Sequence, residues 1–499
     1  MGNDYLGHGG RLTGGPSPEL VRAGFAAESA HGPGLADGLS RADLAHAIVL
    51  AESGSIDPET ARTLLGGLLE LDAVSPADFP WDPQVGDAFN AREHELRARV
   101  GASAAGWLSA GRPRREAFRV GLRLVAAEGA LALHHHLVAF ADALCDRADR
   151  HANDLTADYT YLVPAQPTTI GHLLLGVAAP VLRDAERLRA AHARLNQSVA
   201  GAGGSAGSRW PLDRARLADL LGADGIVTHA RDAAWQTDAF VELAAAVATQ
   251  AAHASQFAQD LEILASQEFG VVELAEGHSR TSALMPQKRN PYALPIIRAG
   301  AATAAGDLTT ILTALHTGSA RTDHFHVLNG LIPRMLEEAT ANASLTAAVT
   351  AGLTFDTQAA ARPAFEGFVT AADVADLLAS ECGLDYRSAH TAVGRAVRDL
   401  VDEQLPISAL TPERLADACA AAIGERPVIR AEALASALDP AACLATRLQP
   451  GGAAPERIQE LLVESRAEVV SARGWADATA TRATESARAL RARAHELAT

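Results

Sequence analysis

Cysteine and aromatic residues are both scarce in this sequence. Four cysteines are spread over 499 residues without a CxxC pair, so nothing indicates a zinc knuckle or a disulfide framework, and a reducing, cytoplasmic compartment is favoured. Aromatic residues make up 4% of the chain, too few to build stacking platforms for bases. The 43 basic and 60 acidic side chains give a net charge of −17, which argues against a nucleic-acid partner.

Long apolar runs are also missing. The longest, LLLGVAAPVL, is interrupted by Pro180 and is too short to span a bilayer. The first residues include an acid, Asp4, and no apolar segment, so we expect neither a signal peptide nor a membrane partner. The hydrophobic fraction of 48% is ordinary for a globular protein and excludes the composition typical of disorder.

Helix-forming residues dominate the sequence, and runs of β-branched residues bounded by turns are nearly absent. Leu182, Ala185, Leu188, His192 and Leu195 recur every three or four positions, which predicts one apolar stripe on a helix. Residues 226–269 contain no Gly and no Pro, and if most of this stretch is one helix, it extends over roughly 60 Å. Helices of this length bury their stripes against one another, so we expect an all-α fold built on a large bundle.

The distribution of Gly and Pro divides the chain into three parts. The first and last parts are richer in these residues and predict short helices, whereas the middle part holds the long ones. We therefore expect an N-terminal helical domain over 1–110, a central long-helix bundle domain over 111–355 and a C-terminal helical domain over 356–499.

Residues 277–295, GHSRTSALMPQKRNPYALP, carry the clearest chemical signal. Hydroxyls, cations and an amide crowd into a Pro-rich stretch that follows the predicted long helix. Cations beside hydroxyls can hold a carboxylate and favour deprotonation of a serine. On composition alone, a solvated connector explains the same residues equally well.

Part of this stretch, SALMPQKRNP, resembles the GSSxMPxKxNP signature of the fumarase/aspartase superfamily. Further segments resemble its argininosuccinate lyase branch in chain order, namely HGGRL at 8–12, AGWLSAGRPRRE at 105–116, YTYLVPAQPTTIGH at 159–172 and AGSRWPLDR at 206–214. Two C-terminal stretches, ADVADLLASECGLDYRSAHTAVG and LDPAACLATRLQPGGAAP, extend the resemblance beyond residue 455. It implies a homotetramer with a long-helix core and active sites built from three subunits. It also implies release of fumarate from a small dicarboxylate-type substrate, with no metal or organic cofactor.

The resemblance also implies roles for individual residues. Ser282 matches the catalytic base, and the catalytic positions are Ser282, Lys288, Thr160 and Tyr161, with substrate binding assigned to Arg114, Arg115, Asn290, Gln166 and Met285. Loss of a proton beside a carboxylate needs strong electrostatic stabilisation, which a lysine and an amide could supply. Without the resemblance, GRPRRE would be interpreted as an exposed charge run and Gln166 as a turn residue before Pro167.

Departures from the family pattern cluster in the part that handles the leaving group. Tyr161 replaces the family's histidine, and others are Phe89, Pro113, Arg115, Val163, Tyr292 and the stretch RTDHFH at 321–326. A lost hydrogen-bond partner can change substrate discrimination by orders of magnitude. We therefore expect an N-substituted aspartate other than argininosuccinate, with a nitro, hydrazino or other small amine leaving group. Tyr161 could donate a proton or simply fill the space of an imidazole.

Other functions remain open at this point. The scaffold could support a cycloisomerase or the addition of an amine to fumarate, or it could belong to a non-catalytic structural relative. The Gly-rich stretch 199–208 follows a predicted helix rather than a strand, which argues against a dinucleotide site. Adjacent histidines at 134–136 face different directions on a helix, so we expect no metal there.

Overall fold

The computed structural model describes residue 11 and residues 14–318 and 320–499. The predicted HGGRL resemblance therefore lies outside the described residues except for Arg11. Helices dominate, as predicted, and the all-α fold class with a long-helix bundle is confirmed. The strands are short and pair only two at a time.

The first part of the chain forms short and medium helices. They are α1 (Pro18–Leu20), α2 (Ala26–Ala30), α3 (Gly32–Glu52), α4 (Pro58–Asp72) and α5 (Ala88–Gly106), with a π-helical turn over Val21–Phe25. Local signals set their starts: the Asp57 side chain accepts hydrogen bonds from the amides of Glu59 and Thr60 at the beginning of α4.

The middle part contains most of the long helices and all of the strands. Its helices are α6 (Arg114–Arg150), α7 (Ile170–Leu195), α8 (Arg214–Leu220), α9 (Ala230–Trp235), α10 (Asp238–Leu264), α11 (Ala293–Ala314) and α12 (Asp323–Ala351). The strand pairs are β1 (Leu155–Thr160) with β2 (Val163–Thr169), β3 (Gln197–Ser198) with β4 (Gly225–Ile226), β5 (Val272–Glu273) with β8 (Thr354–Phe355), and β6 (Arg280–Thr281) with β7 (Arg289–Asn290). All are antiparallel except β3–β4.

The last part begins with short helices and ends with the longest helix. Its elements are α13 (Thr357–Glu366), α14 (Ala371–Cys382), α15 (Tyr386–Asp402), α16 (Pro412–Ile423), α17 (Ala431–Leu438), α18 (Pro440–Ala445) and α19 (Pro455–Ala498). Helices α14 to α17 share a small core of their own, whereas α19 returns to pack on α3, α4, α6 and α7. The division at residues 110 and 355 remains a proposal.

One predicted helix is shorter in the structure than in the sequence. The Gly- and Pro-free stretch 226–269 forms β4, α9 and α10 rather than one long helix. His229 caps α9 through its side chain, and Gln236 is extended, with ψ of 147°, before α10 begins. Polar residues that bond to nearby backbone amides can end a helix as effectively as Gly or Pro does. The stripe predicted on 182–195 is confirmed, since all five residues are buried on α7.

Helix α6 is the centre of the bundle and fixes the distance between its two ends. It packs against α3, α7, α12 and α19, and its 37 residues extend over about 55 Å. Gly38 of α3 and Gly121 of α6 meet where a side chain on either would strike the other backbone. Among the described helices only α6 is long and apolar enough to cross a membrane, and 56% of its most apolar stretch is buried inside the protein, as in a core helix.

Helices α6 and α12 run parallel. Arg114 at the start of α6 lies near Thr322 at the start of α12, whereas the Arg147 guanidinium near the end of α6 donates to the Ala351 carbonyl at the end of α12. The chain therefore presents separate groups of residues at the two ends of one bundle.

Candidate active site

The signature residues occupy a hairpin between α10 and α11. Strands β6 and β7 form its base and residues 282–288 its tip. Asn290 belongs to the base, where its side-chain amide donates to the Arg280 carbonyl at 3.1 Å. Arg289 also secures the base: it donates to the Leu274 carbonyl at 2.6 Å and pairs with Glu273.

Ser282 sits at the tip in an environment that favours a negatively charged oxygen. Its Oγ accepts hydrogen bonds from the amides of Leu284 at 3.2 Å and Met285 at 3.0 Å. Hydrogen bonds donated to an oxygen favour its ionised form. The loop itself therefore supplies two donors that would support a serine alkoxide.

Lys288 closes the same tip, and its amide donates to the Met285 carbonyl at 3.1 Å. It is the only lysine among the 499 residues, and arginine provides all of the other 42 basic side chains. This count is a signal that our sequence analysis missed. The tip is open to solvent, since Leu284 is 86% exposed and Met285 39% exposed.

Arg114 and Arg115 lie in a different place, in a pocket where α6 and α12 begin. Arg114 Nη1 is 3.0 Å from Asp87 Oδ2. Burial raises the pKa of Asp87, and the Arg114 guanidinium lowers it. Arg115 stacks on the Trp235 ring at 5.2 Å and has no ion pair among the described residues.

Two residues that the sequence analysis did not identify complete this pocket. Glu28 and His326 form an ion pair in its wall. Their hydrogen bond lowers the pKa of Glu28 and raises the pKa of His326. His326 belongs to the RTDHFH stretch, but only the packing of α12 against the first helices brings it to Glu28. We call this cavity the Arg114 pocket; its lining residues are Glu28, His31, Asp87, Arg114, Arg115, Phe118, Thr322, Phe325, His326 and Asn329.

Thr160, Tyr161 and Gln166 form a third group, on the β1–β2 hairpin that follows α6. Tyr161 and Leu162 make its two-residue turn with φ of 54° and 61°, a conformation that costs energy for residues other than Gly. The Tyr161 side chain is 100% exposed, and Leu162 and Val163 are more than half exposed. Thr160 and Gln166 are exposed as well.

The structure therefore keeps the predicted site residues in three groups. The signature hairpin holds Ser282, Met285, Lys288 and Asn290, the Arg114 pocket holds both arginines, and the β1–β2 hairpin holds Thr160, Tyr161 and Gln166. The second and third groups are at opposite ends of α6, about 55 Å apart along the helix. One copy of the chain cannot bring these two groups to one substrate.

Two departures from the family pattern have visible structural roles. Tyr292 stacks beneath the Arg280 guanidinium at 4.9 Å and so supports the base of the signature hairpin. Phe89 is 6% exposed and packs in the main core. Neither side chain replaces the polar group that the family places there.

Known families and proteins match this chain along most of its length. A family model described as "Lyase" matches residues 45–306, and one described as "Argininosuccinate lyase C-terminal" matches residues 368–445. The argininosuccinate lyase of Methanoculleus marisnigri is 32% identical over 440 residues, 88% of each chain. That of Acidothermus cellulolyticus is 34% identical over 477 residues, 94% of this chain and 95% of the relative.

Solved structures agree with the sequence matches. An EDDS lyase variant with bound fumarate superposes with a TM-score of 0.87 at 26% identity, covering 97% of both chains. A fumarate lyase from Mesorhizobium sp. BNC1 shares the fold, with a TM-score of 0.69 at 20% identity. Since one family model spans more than half of the chain and relatives above 30% identity span most of it, this chain belongs to the argininosuccinate lyase branch of the fumarase/aspartase superfamily and is a carbon–nitrogen lyase.

Proposed function

We propose that the chain cleaves an N-substituted aspartate by β-elimination and releases fumarate, and that argininosuccinate is not its preferred substrate. The observation that carries this proposal is Ser282, held by two amide donors in the tip of the signature hairpin, which also contains the only lysine of the sequence. The similar EDDS lyase variant was solved with fumarate bound, which supports the product.

Ser282 is the base in this reaction. Its alkoxide takes a proton from the carbon next to a carboxylate, and the bond between the adjacent carbon and nitrogen then breaks. A serine is a weak base in water, so this step needs donors that stabilise the alkoxide and a loop that closes over the substrate. The amides of Leu284 and Met285 are such donors, and the exposed tip has room to close.

Lys288 and Arg114 handle the negative charge of the substrate. Removing the proton places a second negative charge on the carboxylate, and a nearby ammonium stabilises that charge where it develops. Arg114 offers a planar guanidinium that suits a carboxylate, with Asp87 fixing its position. Asn290 contributes by holding the hairpin base in register.

The residues around Arg114 favour a leaving group other than arginine. Glu28 and Asp87 in this pocket are each paired with a cation, whereas Arg115 has no ion pair among the described residues and places positive charge beside the pocket, which disfavours a cationic guanidino group. Tyr161 lacks the imidazole that would protonate a poor leaving group. A leaving group that departs readily without an acid fits these residues best.

We further propose that the chain works as a homotetramer with shared active sites. Helix α11 exposes a face without charge: from Ala299 to Ala314 its only ionisable side chain is Asp307, which is buried and paired with Arg334. Large uncharged faces on a long helix are typical of subunit interfaces. Assembly would also bring the β1–β2 hairpin of one copy to the Arg114 pocket of another.

The proposal is tested by following fumarate absorbance with argininosuccinate and a panel of N-substituted aspartates. We expect release from a panel member and slow release from argininosuccinate. Ser282→Ala should lower turnover by about 10²- to 10⁴-fold, because it removes the base. Ser279→Ala, in the same segment, is the control: its hydroxyl donates to the Ala275 carbonyl at 3.2 Å and serves the fold. Fumarate release by Ser282→Ala at the wild-type rate would refute the proposal.

A further inference from the structure

We propose that Arg119, behind the Arg114 pocket, forms an anion subsite that takes a negatively charged, planar group of the leaving group. The inference rests on the proposed elimination and specifies its substrate class. Arg119 is 4% exposed, although its side chain is charged. It lies one turn after Arg115 on α6, on the side of the helix that meets α9 and α12.

The guanidinium of Arg119 is enclosed by aromatic rings but has unused donors. Its carbon is 4.5 Å from the Trp235 ring centroid and 4.3 Å from that of Phe325. Within the described residues, Nε and Nη2 are buried and have no hydrogen-bond partner. The nearest acid along the helix, Glu116, is occupied by the amides of Gly201 at 2.7 Å and Gly203 at 2.6 Å.

Other buried arginines of this chain are paired, which sets Arg119 apart. The described residues bury four arginine side chains, and Arg41, Arg92 and Arg112 each form an ion pair with an aspartate. A buried charge without a partner is expensive, and burial accordingly lowers the pKa of Arg119 to about 9. A protein that retains such a cost has a use for the free donors.

Residues close in sequence to Trp235 and Phe325, the two rings that cover Arg119, also carry unpartnered polar atoms. Trp235 Nε1, Thr237 Oγ1 and Asn329 Oδ1 are buried without partners in the described part of the chain. Both ring nitrogens of His324 are also buried without a partner among the described residues. Burial lowers the pKa of His324, and the nearby Trp235 backbone opposes part of this effect. The Trp235 indole N–H is a donor and the Thr237 hydroxyl can donate, so these two groups suit an acceptor such as an anion, whereas Asn329 Oδ1 is itself an acceptor.

The cluster is continuous with the Arg114 pocket. Phe325 lines the pocket and also stacks on Arg119. Arg115 lines the pocket and stacks on the Trp235 ring, and the same ring covers Arg119. Arg115 therefore lines the pocket and Arg119 lies directly behind it, separated from it by the Phe325 and Trp235 rings. A guanidinium binds a planar oxyanion through two parallel hydrogen bonds.

Two leaving groups have this chemistry: an amine that carries a carboxylate, and a nitro group that departs as nitrite. In both, Ser282 takes the proton from carbon, the C–N bond electrons go to nitrogen, and fumarate is released. Nitrite leaves as an anion without a proton, whereas the amine leaves as a neutral molecule from the ammonium form of the substrate, which already carries the proton. The two leaving groups are therefore tested separately.

The test compares fumarate release from 2-nitrosuccinate, N-(carboxymethyl)aspartate and N-ethylaspartate. We expect the wild type to prefer one of the first two substrates over N-ethylaspartate. Arg119→Met should lower this ratio of kcat/KM values by about 100-fold. Arg123→Met is the matched control, because Arg123 lies one turn later, stacks on Phe240 and donates to the Arg194 carbonyl at 2.9 Å. An unchanged preference in Arg119→Met would overturn the subsite.

Thermal melting provides a readout that does not need turnover. Without ligand, Arg119→Met should melt no lower than the wild type, since it removes an unpaired buried charge, whereas Arg123→Met should melt lower. Nitrite or acetate should raise the melting temperature of the wild type more than that of Arg119→Met. Equal shifts, or a large loss of stability in Arg119→Met alone, would show that Arg119 is structural. If no substrate yields fumarate, the proposed function fails, and melting still decides the subsite.

Discussion

At the scale of single residues, the choice between lysine and arginine is informative. A chain that uses arginine at 42 positions keeps one lysine, Lys288, in the loop that carries Ser282. An ammonium is a compact point charge with donors that rotate, whereas a guanidinium is a planar fork. The exception supports the proposed role of Lys288, which is to place a point charge where the second negative charge develops.

Lys288→Arg should therefore lower turnover although it keeps the positive charge. We expect kcat to fall by about 10²-fold or more, because the fork cannot take the position of the ammonium. Turnover is measured by fumarate absorbance at saturating substrate. Arg280→Lys, in β6 of the same hairpin, is the control and should stay within a few-fold. A normal kcat for Lys288→Arg would mean that only charge matters at this position.

The Glu28–His326 pair predicts a window of pH for stability. The pKa of His326 is raised above its ordinary 6.5 in the folded chain. The stability that charged His326 contributes is therefore complete below pH 6.5 and is lost as pH rises through the pKa of the folded state. The pKa of Glu28 is lowered below its ordinary 4.5. The stability that charged Glu28 contributes is therefore complete above pH 4.5 and is lost as pH falls through the pKa of the folded state. Arg114 and Asp323 also act on His326, in opposite directions.

His326→Gln should thus destabilise the chain most between pH 4.5 and 6.5. Chemical denaturation of this variant and the wild type is compared inside this range and again well above the folded pKa of His326. We expect the difference in unfolding free energy to shrink at the higher pH, because both proteins then lack the ion pair. His390→Gln, at an exposed position on α15, is the control. A difference that grows with pH would contradict the assigned pair.

At the scale of elements, sequence patterns predicted helices well where burial dictates them. The stripe on α7 follows from spacing alone, and the Ser282 loop was found because its residues are contiguous. The stretch 226–269 holds a shorter helix than its lack of Gly and Pro predicts, because His229 caps the start of α9 and the extended backbone at Gln236 ends α9 before α10 begins. Glu28 and His326 were missed because almost 300 residues separate them and only helix packing joins them.

The β1–β2 hairpin is an element built against its own preferences. A two-residue turn with positive φ at both positions favours Asn and Gly, but this chain has Tyr161 and Leu162 there, both exposed. Residues of this kind cost about 1 kcal/mol or more each in such a conformation. Strain of this size at an exposed apolar tip favours a role for the tip in contact with another copy of the chain.

Replacing the turn by Asn-Gly separates stability from function. The double variant Tyr161→Asn with Leu162→Gly should melt at a higher temperature, because the strain is relieved, and should lose most of its fumarate release. Melting is followed by circular dichroism and turnover by absorbance. Tyr386→Asn, at an exposed aromatic position on α15, is the control for loss of a surface ring. Full activity in the double variant would remove the hairpin from the proposed site.

At the scale of the whole molecule, the length of α6 decides how a site can be built. Arg114 is at one end of this helix and the β1–β2 hairpin at the other, so a shared substrate requires a second copy in the opposite orientation. Symmetric assemblies of antiparallel bundles provide that arrangement, and the uncharged face of α11 offers a surface for it. The family resemblance already implied sites shared among subunits, and the length of α6 gives the physical reason, which no spacing in the sequence reveals.

Mixing two inactive variants tests the shared site. Arg114→Met should lose substrate binding and Ser282→Ala the base, so each variant alone should release little fumarate. If the two residues of one site come from different copies, chains mixed after partial unfolding should regain about a quarter of the wild-type activity through random assembly. Mixing Ser282→Ala with Lys288→Ala is the control and should regain nothing, because both residues lie in one hairpin and each hairpin of every mixed assembly is damaged. Failure of the first mixture to recover, with tetramers present by light scattering, would place Arg114 and Ser282 of each site in the same copy.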